Sequence, residues 1–140
     1  TPADRFGTFA VGQHATSVHR VTSTDVVLYA AVTGDLNPVH VDEPHAAASR
    51  FGGRIAHGML SGAFISAVLG TRLPGIGAIY LSQSLRFRRP VKIGDEVTAR
   101  VTVEALDETK GHVTFATVCL VGGKAVVDGQ AVIMVPRKAS

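Results

Sequence analysis

The stretch from Gly58 to about Leu73 most constrains the fold. Met59, Leu60, Ala63, Phe64, Ile65, Ala67, Val68 and Leu69 cover most directions of its helical wheel. A helix that is apolar nearly all round is central and enclosed rather than laid on a surface. Ser61 and Ser66 interrupt it, and it falls short of the roughly 18 apolar residues that a membrane span needs. Something wide must therefore bury it. Residues 78–135 offer that partner as four segments of alternating hydrophobicity, broken at Pro90 to Asp95, Asp107 to Gly111 and Gly122-Gly123. Ile79, Leu81, Leu85 and Phe87 are expected to share one face, as are Val97, Ala99, Val101 and Val103. The same alternation groups Val113, Phe115 and Cys119, then Val127, Ala131, Ile133 and Val135. A further strand is expected near Val11 to Val21. Short returns favour antiparallel pairing, so the pattern predicts an α+β fold: an antiparallel sheet wrapped around one long buried helix.

No repeat, low-complexity tract or linker divides the 140 residues, which predicts one domain over 1–140 with a core that needs no disulfide or metal staple. The lone Cys119 rules out an intrachain disulfide framework and fits a reducing, cytoplasmic compartment. Its alternating apolar surroundings mark it as a buried structural thiol. The formal net charge is +3, and the cations are scattered apart from Arg86, Arg88, Arg89 and Lys92 and the terminal Arg137 and Lys138. That is not the basic footprint of a nucleic-acid binder. The chain opens on Thr1-Pro2 without a Met, which leaves a removed targeting segment open.

In the first half, Thr22-Ser-Thr-Asp25 has capping-box spacing, and Val26, Val27, Ala30 and Val32 continue a short helix until Gly34 stops it. Pro38 argues against an ordinary helix through Asp35 to His40 and biases Asn37 toward extended geometry, so a shaped loop is expected there. Pro44 opens a second short helix through Arg50, which Phe51-Gly-Gly-Arg54 ends.

Several catalytic signatures are missing. Gly75-Ile-Gly77 lacks a third glycine and lies between helix and strand, the reverse of a dinucleotide-binding turn. In Gly58-Met-Leu-Ser61-Gly62 the serine stands one position late for a nucleophile elbow. His40 to His45 holds metal-ligand types, but Pro44 spoils a helical two-histidine face and no cysteine cluster accompanies it. The segment that stands out is Gly34-Asp35-Leu36-Asn37-Pro38-Val39-His40, followed by His57-Gly58-Met59 at the start of the apolar helix. Asp35 can take a proton from water, and His40 can hold or deliver one near neutral pH. The amide of Gly58, at the positive end of a helix, can face a developing oxyanion. Taken alone, such residue types more often make turns, helix ends, a solvated histidine and a tightly packed glycine.

These residues resemble the signature of the MaoC-like hydratases, which include the R-specific enoyl-CoA hydratases. Gly34-Asp35-x-Asn37-Pro38-x-His40, His57-Gly58-Met59, the strand Ile79-Tyr-Leu-Ser-Gln-Ser-Leu85 and Val91-x-x-Gly94-Asp95-x-Val97 match in order and spacing across most of the chain. The resemblance implies the hot-dog fold and a homodimer that builds its acyl channel at the shared interface. It implies Asp35 and His40 as the catalytic pair acting on water, Gly58 as the oxyanion donor and Asn37 as a brace for the loop. Ser66 corresponds to a serine lining the family's site, and Leu69, one turn on, is expected in the acyl-channel wall. The substrate implied is an acyl-CoA thioester, with no metal and no other cofactor. Arg86, Arg88, Arg89 and Lys92 are candidates for its phosphates, with a plain solvated strand face as the alternative. Two other readings remain: a 3-hydroxyacyl-ACP dehydratase running the reaction in reverse, and a non-catalytic hot-dog subunit of a heteromer. Storage-polyester supply and fatty-acid metabolism both fit the family.

Overall fold

A computed structural model of the protein describes residues 6–136, so the basic pair Arg137 and Lys138 lies outside the described residues. After a short 3-10 turn at Phe6–Thr8 come β1 (His14–Arg20), α1 (Ser23–Thr33), α2 (Pro38–Val41), α3 (Glu43–Ala47) and α4 (Gly58–Thr71). Then follow β2 (Ile79–Phe87), β3 (Glu96–Asp107), β4 (His112–Val121) and β5 (Lys124–Met134). The strands form one antiparallel sheet in the order β1-β3-β4-β5-β2, and α4 packs on it. No helix among the described residues is long and apolar enough to cross a membrane.

Local chemistry explains the elements that were expected. The Thr22 side chain accepts the Asp25 N–H at 3.1 Å, and the Asp25 carboxylate accepts the Thr22 N–H at 2.9 Å. Gly34 closes α1 with a left-handed φ of 79°, which glycine adopts without a side-chain clash. His19 lies 2.8 Å from the Asp25 carboxylate, and with the Thr22 amide it holds that carboxyl below its usual range. Gly122 and Gly123 form the two-residue turn between β4 and β5, both at positive φ, as the favoured hairpin turns require. The inward faces of β3, β4 and β5 are buried as the alternation predicts, and Cys119 is fully buried among them. Burial pushes the Cys119 thiol up to about 12, in keeping with a structural rather than a nucleophilic role.

Three expectations need correction. Pro38 opens a helix instead of forbidding one: it occupies the first turn of α2, where a missing N–H is no loss. In β2 the pairing slips between Tyr80 and Ser82, so Leu81 is an extra residue and the alternation breaks there. Tyr80 pairs with the inward Ile133, while Ile79 pairs with Met134; Ile79 therefore leaves the face that holds Leu85 and Phe87. Finally, the helix is not enclosed all round. Leu60, Ile65, Val68 and Leu69 are buried, whereas Met59 is 53% exposed and Ala63 and Ala67 are open. One twisted sheet covers only one side of a helix.

Candidate active site

The turn from α1 into α2 is built from side chains bonding their own backbone. The Asp35 carboxylate accepts the Asn37 N–H at 3.3 Å, and the Asn37 side chain accepts the Val39 N–H at 3.1 Å as the cap of α2. Short polar side chains commonly shape turns in this way. The next turn carries His40, which is buried.

The strap at residues 54–56 holds His40 in place. Its Nδ1 lies 2.7 Å from the Ile55 carbonyl, and because a carbonyl only accepts, the neutral ring carries its proton on Nδ1 and leaves Nε2 with a free lone pair. Arg54 Nε donates to the His40 carbonyl at 2.6 Å, and its Nη1 donates to Ser23 at 2.9 Å, tying α2 to the start of α1. Ala56 N–H bonds the Val91 carbonyl at 2.7 Å, which anchors the strap itself.

His57 joins the two expected residues. It is 97% buried by its 3% exposure, and its ring stacks on His40 with centroids 3.8 Å apart and lies against Tyr29 at 4.8 Å. Its Nε2 donates to the main-chain carbonyl of Asp35 at 2.9 Å. A carboxylate oxygen of Asp35 and a ring nitrogen from each histidine lie within 4.8 Å of one another. Two hydrogen bonds through one water oxygen span about 4.5 Å, so the group is spaced to hold a single water.

A cavity of about 500 Å³ opens beside this group, with His40, Gly58, Met59 and Ser61 in its lining. No side chain caps the first turn of α4; the Leu60 N–H bonds the His57 carbonyl at 3.0 Å, and the amides of Gly58 and Met59 are left for a ligand or solvent. Gly58 is also a packing glycine, because a Cβ there would meet the Phe87 ring at 2.7 Å. Ser61, not Ser66, lines this cavity. Ser66 is half-buried two turns beyond Gly58, and Leu69 is buried in the core. Of the basic cluster, Arg88 and Arg89 line the cavity, as do Arg50 and Phe51, while Arg86 and Lys92 do not. Arg50, Arg54, His57 and Ser61 are residues that sequence reasoning did not assign to the site. Only His57 had a signal, its place before Gly58.

The MaoC like domain model matches residues 9–124. The chain belongs to the MaoC-like family. It is 54% identical to an (R)-specific enoyl-CoA hydratase of Rhodospirillum rubrum, over 91% of this chain and 88% of that protein. It is 46% identical to an (R)-specific enoyl-CoA hydratase of Aeromonas caviae, over 90% and 95%. An unliganded R-hydratase structure from Pseudomonas aeruginosa superposes with a TM-score of 0.91 at 48% identity, over 95% of this chain and 86% of that one. The fold of this MaoC-like chain is accordingly the hot dog.

In this MaoC-like chain the contacts of His57 predict a positioning role for it. His57→Phe keeps an aromatic stack on His40 but removes the donor to Asp35, and His57→Gln keeps a donor but removes the stack. Each is expected to lower kcat by about 10- to 100-fold with KM within about twofold, since small misplacements of reacting groups carry such losses. Steady-state kinetics read beside thermal melting check this. A kcat loss that merely tracks the fraction unfolded would assign His57 to core filling.

Proposed function

We propose that this protein is an R-specific enoyl-CoA hydratase, adding water reversibly across the double bond of a trans-2-enoyl-CoA to give the (R)-3-hydroxyacyl-CoA. The observation that carries the reading is the water-sized grouping of Asp35 with a histidine whose second nitrogen is fixed on a carbonyl, beside the uncapped start of α4. The thioester oxygen sits at the amide of Gly58, which stabilises the negative charge that grows there as water attacks. Asp35 and His40 hold that water. As its oxygen bonds to C3 the pair takes one of its protons, and the same pair returns a proton to C2, so the elements of one water are added.

The chemistry needs no redox step and no Lewis acid. The Asp35, His40 and His57 grouping suits a water better than a metal: stacked rings, inclined by 27°, keep their in-plane lone pairs in separate, near-parallel planes, whereas ligands converge on an ion. The R handedness and the coenzyme A carrier rest on the relatives at 46–54% identity. Dehydration of an acyl-carrier-protein thioester would use the same atoms in reverse. A homodimer fits the open surfaces: β2 is an edge strand with Ile79, Tyr80 and Leu81 exposed, and pairing with a second β2 would cover it and the bare side of α4. The buried Cys119 suits a cytoplasmic setting.

The test is loss of conjugated-enoyl absorbance when the purified protein meets crotonyl-CoA, with product handedness read by an R-specific and an S-specific dehydrogenase. Fast loss giving the R product supports the proposal. An S product, or no turnover of any enoyl-CoA length, would overturn it.

A further inference from the structure

The cavity's exposed lining carries charge that the chemistry at Asp35 and His40 does not use. Arg50, Arg88, Arg89 and Pro90, all exposed, and the half-buried Phe51 form a solvent-facing part of its lining. Arg88 is neutralised by Asp128, with Nε–Oδ2 at 3.0 Å and Nη2–Oδ1 at 3.3 Å. The other two guanidinium groups are oriented by neutral partners only. Arg89 Nη1 donates to the Ala125 carbonyl at 2.6 Å, and Arg50 lies over the Phe51 ring, 5.2 Å from its centroid. Neither has a carboxylate partner among the described residues. Such contacts fix direction and leave the charge and most of the N–H donors free.

We propose that Arg50 and Arg89 form a phosphate clamp that recognises the phosphopantetheine end of the acyl carrier. The inference rests on the acyl-thioester reading above. With the thioester carbonyl at Gly58, the pantetheine arm has to run through the cavity, and its phosphates leave where these two cations stand. A cavity of this size is in the range that holds such an arm. Guanidinium is suited to phosphate because its planar fork donates two parallel hydrogen bonds to a pair of anionic oxygens. The patch expected at Arg86, Arg88, Arg89 and Lys92 is thereby redrawn: Arg88 is spent on Asp128, Arg86 and Lys92 do not line the cavity, and Arg50 comes from another part of the chain.

The experiment compares crotonyl-CoA with crotonyl-pantetheine, which has the same reacting end and no phosphate, on the wild-type protein, Arg50→Gln, Arg89→Gln, the double variant and Arg86→Gln. KM for crotonyl-CoA is expected to rise about tenfold for each of Arg50→Gln and Arg89→Gln, the loss of one charge-assisted contact, and further in the double variant. KM for crotonyl-pantetheine should move less than about twofold, and Arg86→Gln should change neither. Equal effects on both substrates, or no effect on crotonyl-CoA, would overturn the clamp. Crotonyl groups carried on acyl carrier protein distinguish the phosphate's source: a larger loss there assigns the clamp to the protein carrier's phosphodiester, a larger loss with crotonyl-CoA to the nucleotide carrier. Calorimetric binding of free coenzyme A needs no turnover. Weakened binding in the double variant would support the clamp even if the hydratase reading failed, and undiminished binding would count against it.

Discussion

Replacing Asp35 with Asn, or His40 with Ala, is expected to lower turnover of an enoyl-CoA by at least about 100-fold, the usual contribution of a positioned acid or base. Asp35→Asn keeps the size and an oxygen that can still accept the Asn37 N–H, so the turn should persist while the proton acceptor is lost. His40→Ala removes the lone pair aimed at the water and also the ring on which His57 stacks, and some loss of stability should accompany it. Circular dichroism and melting of both variants keep the kinetic result interpretable. A folded Asp35→Asn protein with near-normal kcat would remove Asp35 from the chemistry.

The largest effect on stability is expected at a position with no chemistry at all. Gly129 of β5 faces Leu85 of β2, and a Cβ there would lie 1.8 Å from the Ser84 carbonyl oxygen and 2.7 Å from its carbon. The obstacle is backbone, which cannot rotate away as a side chain can. Gly129→Ala should therefore cost about 3 kcal/mol or more, at or above the upper end for overpacking, by prising β2 from β5. The consequence reaches the site, because β2 presents Leu85 and Phe87 to Gly62 and Gly58 of α4. Denaturant melts should show the loss, with activity falling in step. Unchanged stability would mean that β2 and β5 are not so closely paired.

What was legible in the sequence was what neighbouring residues decide among themselves. The Thr22 and Asp25 box and the Gly34 stop form α1 through local hydrogen bonds, and the alternation of β3 and β4 marks their buried faces because burial has period two in a strand. Asp35 and His40 were readable as a pair through their spacing and the family resemblance. Pro38 misled because its meaning depends on whether it stands first in a helix or inside one. The bulge at Leu81 and the need for Gly129 arise from pairing with a distant strand, which composition and periodicity do not encode. His57 and Arg54 were hidden for a similar reason: their partners, the Asp35 and His40 carbonyls, are main-chain atoms brought close only by the fold. Arg50 lines the same cavity as Arg89, which stands 39 positions later in the chain.

In the proposed reaction Asp35 and His40 work on one water from one side of the double bond. Hydration of crotonyl-CoA in D2O, with the product's C2 stereochemistry read by NMR, tests it most directly. Because the two groups lie within 4.8 Å and share that water, one deuterium should appear at C2 on the same face as the new C3 oxygen. Deuterium on the opposite face would require a second proton donor across the substrate and would contradict the shared-water account.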